Sequence, residues 1–110
     1  MDRLLKLDYF INHKFMDPLT NKNIADELHI GERQLSRLVL AHYGTTLHTL
    51  FLRKRLSVAA MLLLESTDTI ESIALAVGFK GKMNFYREFK KAYQMTPTQY
   101  RKEAGKFSRT

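Results

Sequence analysis

The chain repeats itself once, and that repetition limits its possible folds more than any other feature. Ile24-Ala25-x-x-Leu28 returns as Ile73-Ala74-x-x-Val77 at an offset of 49 residues. Leu35, Arg37, Tyr43, Thr46 and Leu50 return as Phe85, Arg87, Tyr93, Thr96 and Tyr100 at an offset of 50. The extra residue falls between the two apolar stretches of each copy, where a turn absorbs an insertion. Each copy therefore reads as a short helix, a turn and a longer helix, a unit that needs neighbours to cover its apolar side.

The second copy is the more explicit. From Phe79 to Tyr100, Phe85, Phe89 and Ala92-Tyr93 share one face at helical spacing, while Lys82, Met83, Tyr86, Arg87 and Lys90 share another. One stripe packs and the other is cationic. Gly78 suits a tight turn before this helix, and Gly81 can cap it.

The same periodicity predicts seven helices and an all-α fold. They run over Asp2–Phe15 (stripe Leu4-Leu5, Tyr9 or Leu7, Ile11 and Phe15), Lys22–His29 (Ile24, Ala25 and Leu28 inward) and Glu32–Tyr43 (Leu35, Leu38 and Val39 inward). The others are Thr46–Glu65, Ile70–Val77, Lys82–Tyr93 and Pro97–Ala104, followed by a frayed tail after Gly105. Thr20 or Asn21 caps the second helix, Ile30-Gly31 makes its turn, Gly44 stops the third, and Thr67–Thr69 is a loop and cap. Leu56–Leu64 is apolar nearly all round, which predicts burial on several sides. Organisation follows: a first lobe over residues 1–45, a joining helix over 46–65 and a second lobe over 66–105. The twenty joining positions span roughly 30 Å, close to the B-DNA pitch of about 34 Å, so two such helices can address successive major grooves.

Charge points the same way. Residues 80–110 hold nine Lys/Arg against Glu88 and Glu103, a local +7 that equals the net charge of the whole chain. A basic patch of this kind, with a sequence pI near 9.8, favours a polyanionic partner over a merely solvated face. The chain has no cysteine, so disulfides and Cys-ligated metals are excluded. Neither a signal peptide nor an apolar run long enough for a bilayer is present, which makes the cytoplasm the expected compartment. His13, His29, His42 and His48 lack ligand spacing, and no nucleophile elbow or phosphate-cradling glycine loop occurs. The reading is therefore of a non-enzyme without cofactor or metal.

The residues also carry a family resemblance. Ile24-Ala25, Arg33-Gln34-Leu35-Ser36-Arg37-Leu38, Tyr43-Gly44, Arg55, Ala59-Ala60-Met61-Leu62-Leu63 and Ile73-Ala74-Leu75-Ala76-Val77-Gly78-Phe79 are its first parts. Phe85-Tyr86-Arg87-Glu88-Phe89-Lys90 and Thr96-Pro97-x-x-Tyr100-Arg101 complete it. Over about residues 3–104 the chain resembles the C-terminal-type DNA-binding domain of AraC/XylS bacterial transcription regulators. The resemblance implies a two-lobed, seven-helix domain on an asymmetric duplex site, usually an activator that contacts RNA polymerase. By position, base reading falls to Arg33, Ser36 and Arg37 in the first lobe and to Lys82, Met83, Tyr86 and Arg87 in the second. Thr20, Lys80, Lys90 and helix N-termini contact phosphates.

The chain departs from the family's usual Ser at Lys80 and Gly81, Tyr at Asn84 and Gly at Gln94. The effector-binding or dimerisation domain of most members is absent from this chain, which is then either a small stand-alone member or an excised C-terminal domain. For Tyr86 the alternative is packing back into its lobe. Arg55 is expected in a structural ion pair, with Arg53 and Lys54 solvated. A different class of function stays open: a helical protein-interaction module whose basic face meets an acidic partner.

Overall fold

The computed structural model describes residues 2–108, with side chains described to Ala104. Seven helices follow in order: α1 (Arg3–His13), α2 (Asn21–Glu27), α3 (Glu32–Tyr43), α4 (Leu47–Glu65), α5 (Ile70–Ala76), α6 (Lys82–Tyr93) and α7 (Pro97–Ser108). Among the described residues there is no strand. The chain divides into two compact units, one ending at Lys54 and the other starting at Arg55, so that the division falls inside α4.

In the first unit, Asp2 caps α1 by accepting from the Leu4 N–H at 2.9 Å. The buried stripe of α1 is Leu7 and Ile11, continued past the helix end by Phe15. Leu5 and Tyr9, expected in that stripe, are 62% and 53% exposed. A 3.6-residue period that passes through residues 7 and 11 turns positions 5 and 9 away from the core. The buried faces of α2 and α3 are Ile24 and Ala25, with Leu28 just beyond, and Leu35 and Val39. Leu38 is only half-buried. The α1–α3 packing is tied by the Tyr43 hydroxyl, which donates to Asp8. Burial, the Asp8 hydrogen bond and the Asp8 charge together raise the Tyr43 phenol well above its ordinary range.

The α2–α3 turn departs from the sequence reading. Helix α2 stops at Glu27 and His29 takes a left-handed backbone (φ 59°), whereas Gly31 is an extended N-cap of α3. The reversal is therefore made at His29, two residues before the glycine. It is closed by His29 N–H on Asp26 O at 3.1 Å and by Ile30 N–H on Ala25 O at 3.0 Å.

The second unit repeats this turn atom for atom. Gly78 is left-handed (φ 105°), and its N–H reaches Leu75 O at 3.1 Å while Phe79 N–H reaches Ala74 O at 2.9 Å. Caps repeat too. Thr20 and Thr69 each accept from the N–H three residues on, at 3.1 Å, and so do Thr46 and Thr96, at 3.2 and 3.1 Å. Gly44 (φ 75°) ends α3 in the left-handed region, and Gln94 (φ 64°) ends α6 in the same way.

The core of the second unit includes Leu56, Ala59, Ala60, Leu63, Ile73, Ala74, Val77, Phe79, Phe85 and Phe89. Four of its aromatics form a chain: Phe85–Phe89 at 5.6 Å, Phe89–Tyr93 stacked at 4.5 Å and Phe89–Tyr100 at 5.3 Å between centroids. Burial, with Tyr100 nearby, raises the Tyr93 phenol. Three sequence expectations change here. Met61 and Leu64 are exposed, so burial around the second half of α4 is not all-round, and Ala92 is exposed beside the buried face of α6. Helix α7 also continues through Gly105 to Ser108, because one glycine costs a helix only about 1 kcal/mol. Residues 109–110, the rest of the tail expected to fray, lie outside the described residues.

Candidate nucleic-acid interface

In each unit, the buried face of the longer turn helix decides what the opposite face can present. On α3, Leu35 and Val39 point into the core, which leaves Arg33, Gln34, Ser36 and Arg37 exposed. On α6, Phe85 and Phe89 are fully buried, which leaves Lys82, Met83, Asn84, Arg87 and Lys90 exposed and Tyr86 half-buried. Met83 is 86% exposed, an unusual position for a thioether with no partner to cover it. Arg37 and Arg87 thus stand at equivalent points of the repeat, each on the outer face of its helix.

The two faces are prepared differently. Among the described residues, no hydrogen bond or ion pair holds Arg33 or Arg37. In the second unit Lys82, Asn84, Tyr86 and Arg87 all have side-chain partners. Lys82 Nζ lies 3.4 Å from Glu71 on α5 and 5.6 Å from the centre of the Tyr86 ring. The Tyr86 hydroxyl shares a hydrogen bond with Thr98 Oγ1 at 3.0 Å, and its ring stands edge-on to Phe85. Arg87 Nη2 donates to Asn84 Oδ1 at 2.6 Å, with Glu88 Oε1 4.0 Å from Nε. Tyr86 therefore leans back onto α7, the packed alternative that its half-apolar character left open in the sequence.

The repeat shows what that tyrosine does. Its counterpart in the first unit is Ser36, and the counterpart of Thr98 is His48. Ser36 and His48, with Asn21, Leu40, Thr45 and Leu47, line an open cleft of about 380 Å³. In the second unit, the aromatic ring bridges the equivalent pair of positions.

The phosphate candidates occupy helix boundaries. Thr20 is exposed at the start of α2, where its hydroxyl and backbone N–H form a reciprocal capping box with Asn23. Lys80 lies exposed in the loop before α6, and Lys90 lies in the last turn of that helix. Cations near a helix C-terminus are favourably placed against its dipole.

Arg101, one of the basic residues behind the local +7, faces inward instead. Its Nε donates to Leu63 O at 2.9 Å and its Nη2 to Ser66 O at 3.1 Å, closing the C-terminal end of α4. Arg55, expected in an ion pair, is half-buried, and desolvation lowers its pKa. Sequence reasoning missed Glu71, Asn84 and Thr98 as partners of the basic face. Only Asn84–Arg87, three apart on one helix, had a spacing that signalled contact; the other two depend on how α5 and α7 pack.

Among the described residues, no group of three or more His, Asp or Glu side chains is placed to hold a metal. None of the helices among the described residues is long and apolar enough to cross a membrane.

A family model described as a helix-turn-helix domain matches residues 24–103. The HTH-type transcriptional regulator MtrA of Neisseria gonorrhoeae is 36% identical over 76 residues, 69% of this chain and 25% of that protein's length. A crystal structure of a transcriptional regulator (AraC-type DNA-binding domain-containing proteins) from Chromobacterium violaceum superposes with a TM-score of 0.83 at 28% identity, over 92% of this chain and 90% of that one. The DNA-binding domain of AdpA, crystallised with a target DNA, has a TM-score of 0.88 over 94% of this chain and 93% of its own, and at 17% identity it shares the fold alone.

Proposed function

We propose, from the premise that this chain belongs to the AraC-type helix-turn-helix family of DNA-binding transcription regulators, that it reads an asymmetric duplex site with α3 and α6. The two units act as the two lobes expected from the repeat, each laying its longer turn helix in a major groove, with half-sites about 10 bp apart. Arg33, Ser36 and Arg37 read bases in one half-site. Lys82, Met83 and Arg87 read bases in the other, where Tyr86 presents a ring edge to sugars or thymine methyls. Thr20, Lys80 and Lys90 neutralise or hydrogen-bond phosphates, adding affinity that carries no sequence information.

One observation carries this reading. The same turn, with the same two backbone hydrogen bonds, presents an exposed arginine at the same position of α3 and of α6. Arginine is the side chain whose fork matches guanine O6 and N7, and a good bidentate pair discriminates by about 1–3 kcal/mol. A protein-interaction module binding an acidic partner has no need of two matched arginine-bearing helices. As with the usual members of the family, the regulator is proposed to activate transcription through contact with RNA polymerase, in the cytoplasm. The chain spans a minor share of the curated relatives it matches, 25% in the case of MtrA, so an effector-binding or dimerisation domain belongs to the proposal for the whole regulator.

The test is fluorescence anisotropy on a site selected from a random duplex library. Replacing Arg37 and Arg87 together with Ala is expected to weaken the selected site by about 100-fold or more, two bidentate contacts being lost, and random duplex much less. Retention of specific affinity by the double variant would sink the assignment of α3 and α6. Absence of duplex affinity at low salt, with capture of an acidic partner, would favour the interaction module.

A further inference from the structure

We infer that Asn84 is a positioning residue for Arg87, so that the second unit reads its guanine more stringently than the first unit reads its own. The inference rests on the proposed DNA-reading role of α6. Asn84 stands one turn before Arg87 on the exposed face of α6, and its Oδ1 accepts from Arg87 Nη2 at 2.6 Å. On the other side, Glu88 Oε1 lies 4.0 Å from Nε. The guanidinium is thus tethered by Asn84, with the Glu88 charge at the edge of ion-pair range. The bond to Asn84 uses one Nη2 proton. The other Nη2 proton and the two of Nη1 take no part in that bond, which leaves the two donors that a bidentate bond to guanine O6 and N7 requires.

The first unit supplies the contrast. At the positions equivalent to Asn84 and Arg87 it has Gln34 and Arg37, both exposed, and among the described residues nothing ties Arg37 down. Glutamine carries one more rotatable bond than asparagine, so the same tether costs more side-chain entropy there. Arg37 must be ordered when it meets DNA, whereas Arg87 is ordered beforehand. Ordering one long side chain in advance is worth about three- to tenfold in binding. It is also worth that factor in discrimination, because a fixed fork cannot swing to accommodate a wrong base.

The experiment is anisotropy with the whole chain against a panel of duplexes varied at every base pair of the selected site. The base pair whose preference is flattened by Arg87→Ala defines the Arg87 contact. Asn84→Ala is expected to reduce preference at that same base pair by about three- to tenfold, to leave random-duplex affinity unchanged, and to have no effect in the Arg87→Ala background. Asn84→Asp, which keeps the Oδ acceptor, is expected to restore the preference while weakening all duplexes alike. Several results would overturn the inference: no change in Asn84→Ala, a change at a different base pair, or an equal change when Arg87 is already Ala. The last two mean that Asn84 itself reads DNA. If Arg87→Ala flattens no base pair, the reading of α6 fails first and this inference with it.

Discussion

The two units exchange a glycine for a bulkier residue at matched left-handed positions, and this gives a stability prediction with its control built in. His29 (φ 59°) faces Gly78 in the repeat, and Gln94 (φ 64°) faces Gly44. A left-handed backbone costs a residue with a Cβ about 1–2 kcal/mol. Glycine avoids that cost, but its freer unfolded chain takes back about 0.5–1 kcal/mol. His29→Gly and Gln94→Gly should therefore each stabilise by about 0.5–1 kcal/mol. Both side chains are exposed, so little packing is lost. Gln94 gives up a bond from its Nε2 to Lys91 O at 3.1 Å, which is exposed and worth a few tenths of that. The converse change is Gly44→Ala. A Cβ there meets nothing within 4 Å, so any cost is the backbone's own, and a loss of similar size is expected. Urea unfolding followed by helical circular dichroism measures all three, with the midpoint moving and the slope constant. The thermal midpoint should rise by roughly 2–8 °C per stabilising change. Because the two sites lie in different units, the double variant should show the sum. Unchanged midpoints in both glycine variants, or a Gly44→Ala variant as stable as the parent, would refute the claim that these positions are strained.

Other outcomes are open to measurement. Arg101→Ala should destabilise the second unit by about 2–4 kcal/mol, since two charge-assisted bonds to the Leu63 and Ser66 carbonyls at the end of α4 are lost, and Arg101→Lys should recover only part of it. Thr69→Ala should cost about 1 kcal/mol by removing the α5 cap, with DNA affinity unchanged at temperatures where the fold is intact. The Tyr43 phenol is raised in the folded state, so its neutral form is favoured there while the unfolded chain ionises near its ordinary value of 10.0. Stability from this group is therefore complete below about pH 10 and falls as the pH rises above it. Tyr43→Phe should flatten that alkaline limb in unfolding titrations, and an unchanged limb would assign the loss to other groups.

Helix existence was legible because the apolar period is strong wherever a face is buried. The limits of α3 and α6 could be read to the residue, since Gly31 and Gly81 open them and the residues that close them repeat as well. The stripe of α1 was less legible. Leu4, Leu5, Leu7 and Tyr9 offer two overlapping helical stripes, and only burial in the tertiary structure selects Leu7 over Tyr9. The first turn was misplaced because Gly31 is the visible breaker, whereas the backbone reverses at His29, a residue type that tolerates the left-handed region.

For the candidate site, the pattern of residues alone put the arginines of α3 and α6 at the surface. Periodicity ties an outward arginine to an inward leucine or phenylalanine, whatever the neighbours are. The tertiary structure decided what those side chains do before any partner arrives. It turned Arg101 inward to α4, set Glu71 beside Lys82, and leaned Tyr86 on Thr98, leaving a cleft at the matching place in the first unit. Those partners lie on other helices, at separations that no local period encodes. They meet only because burying the apolar faces brings α5, α6 and α7 together.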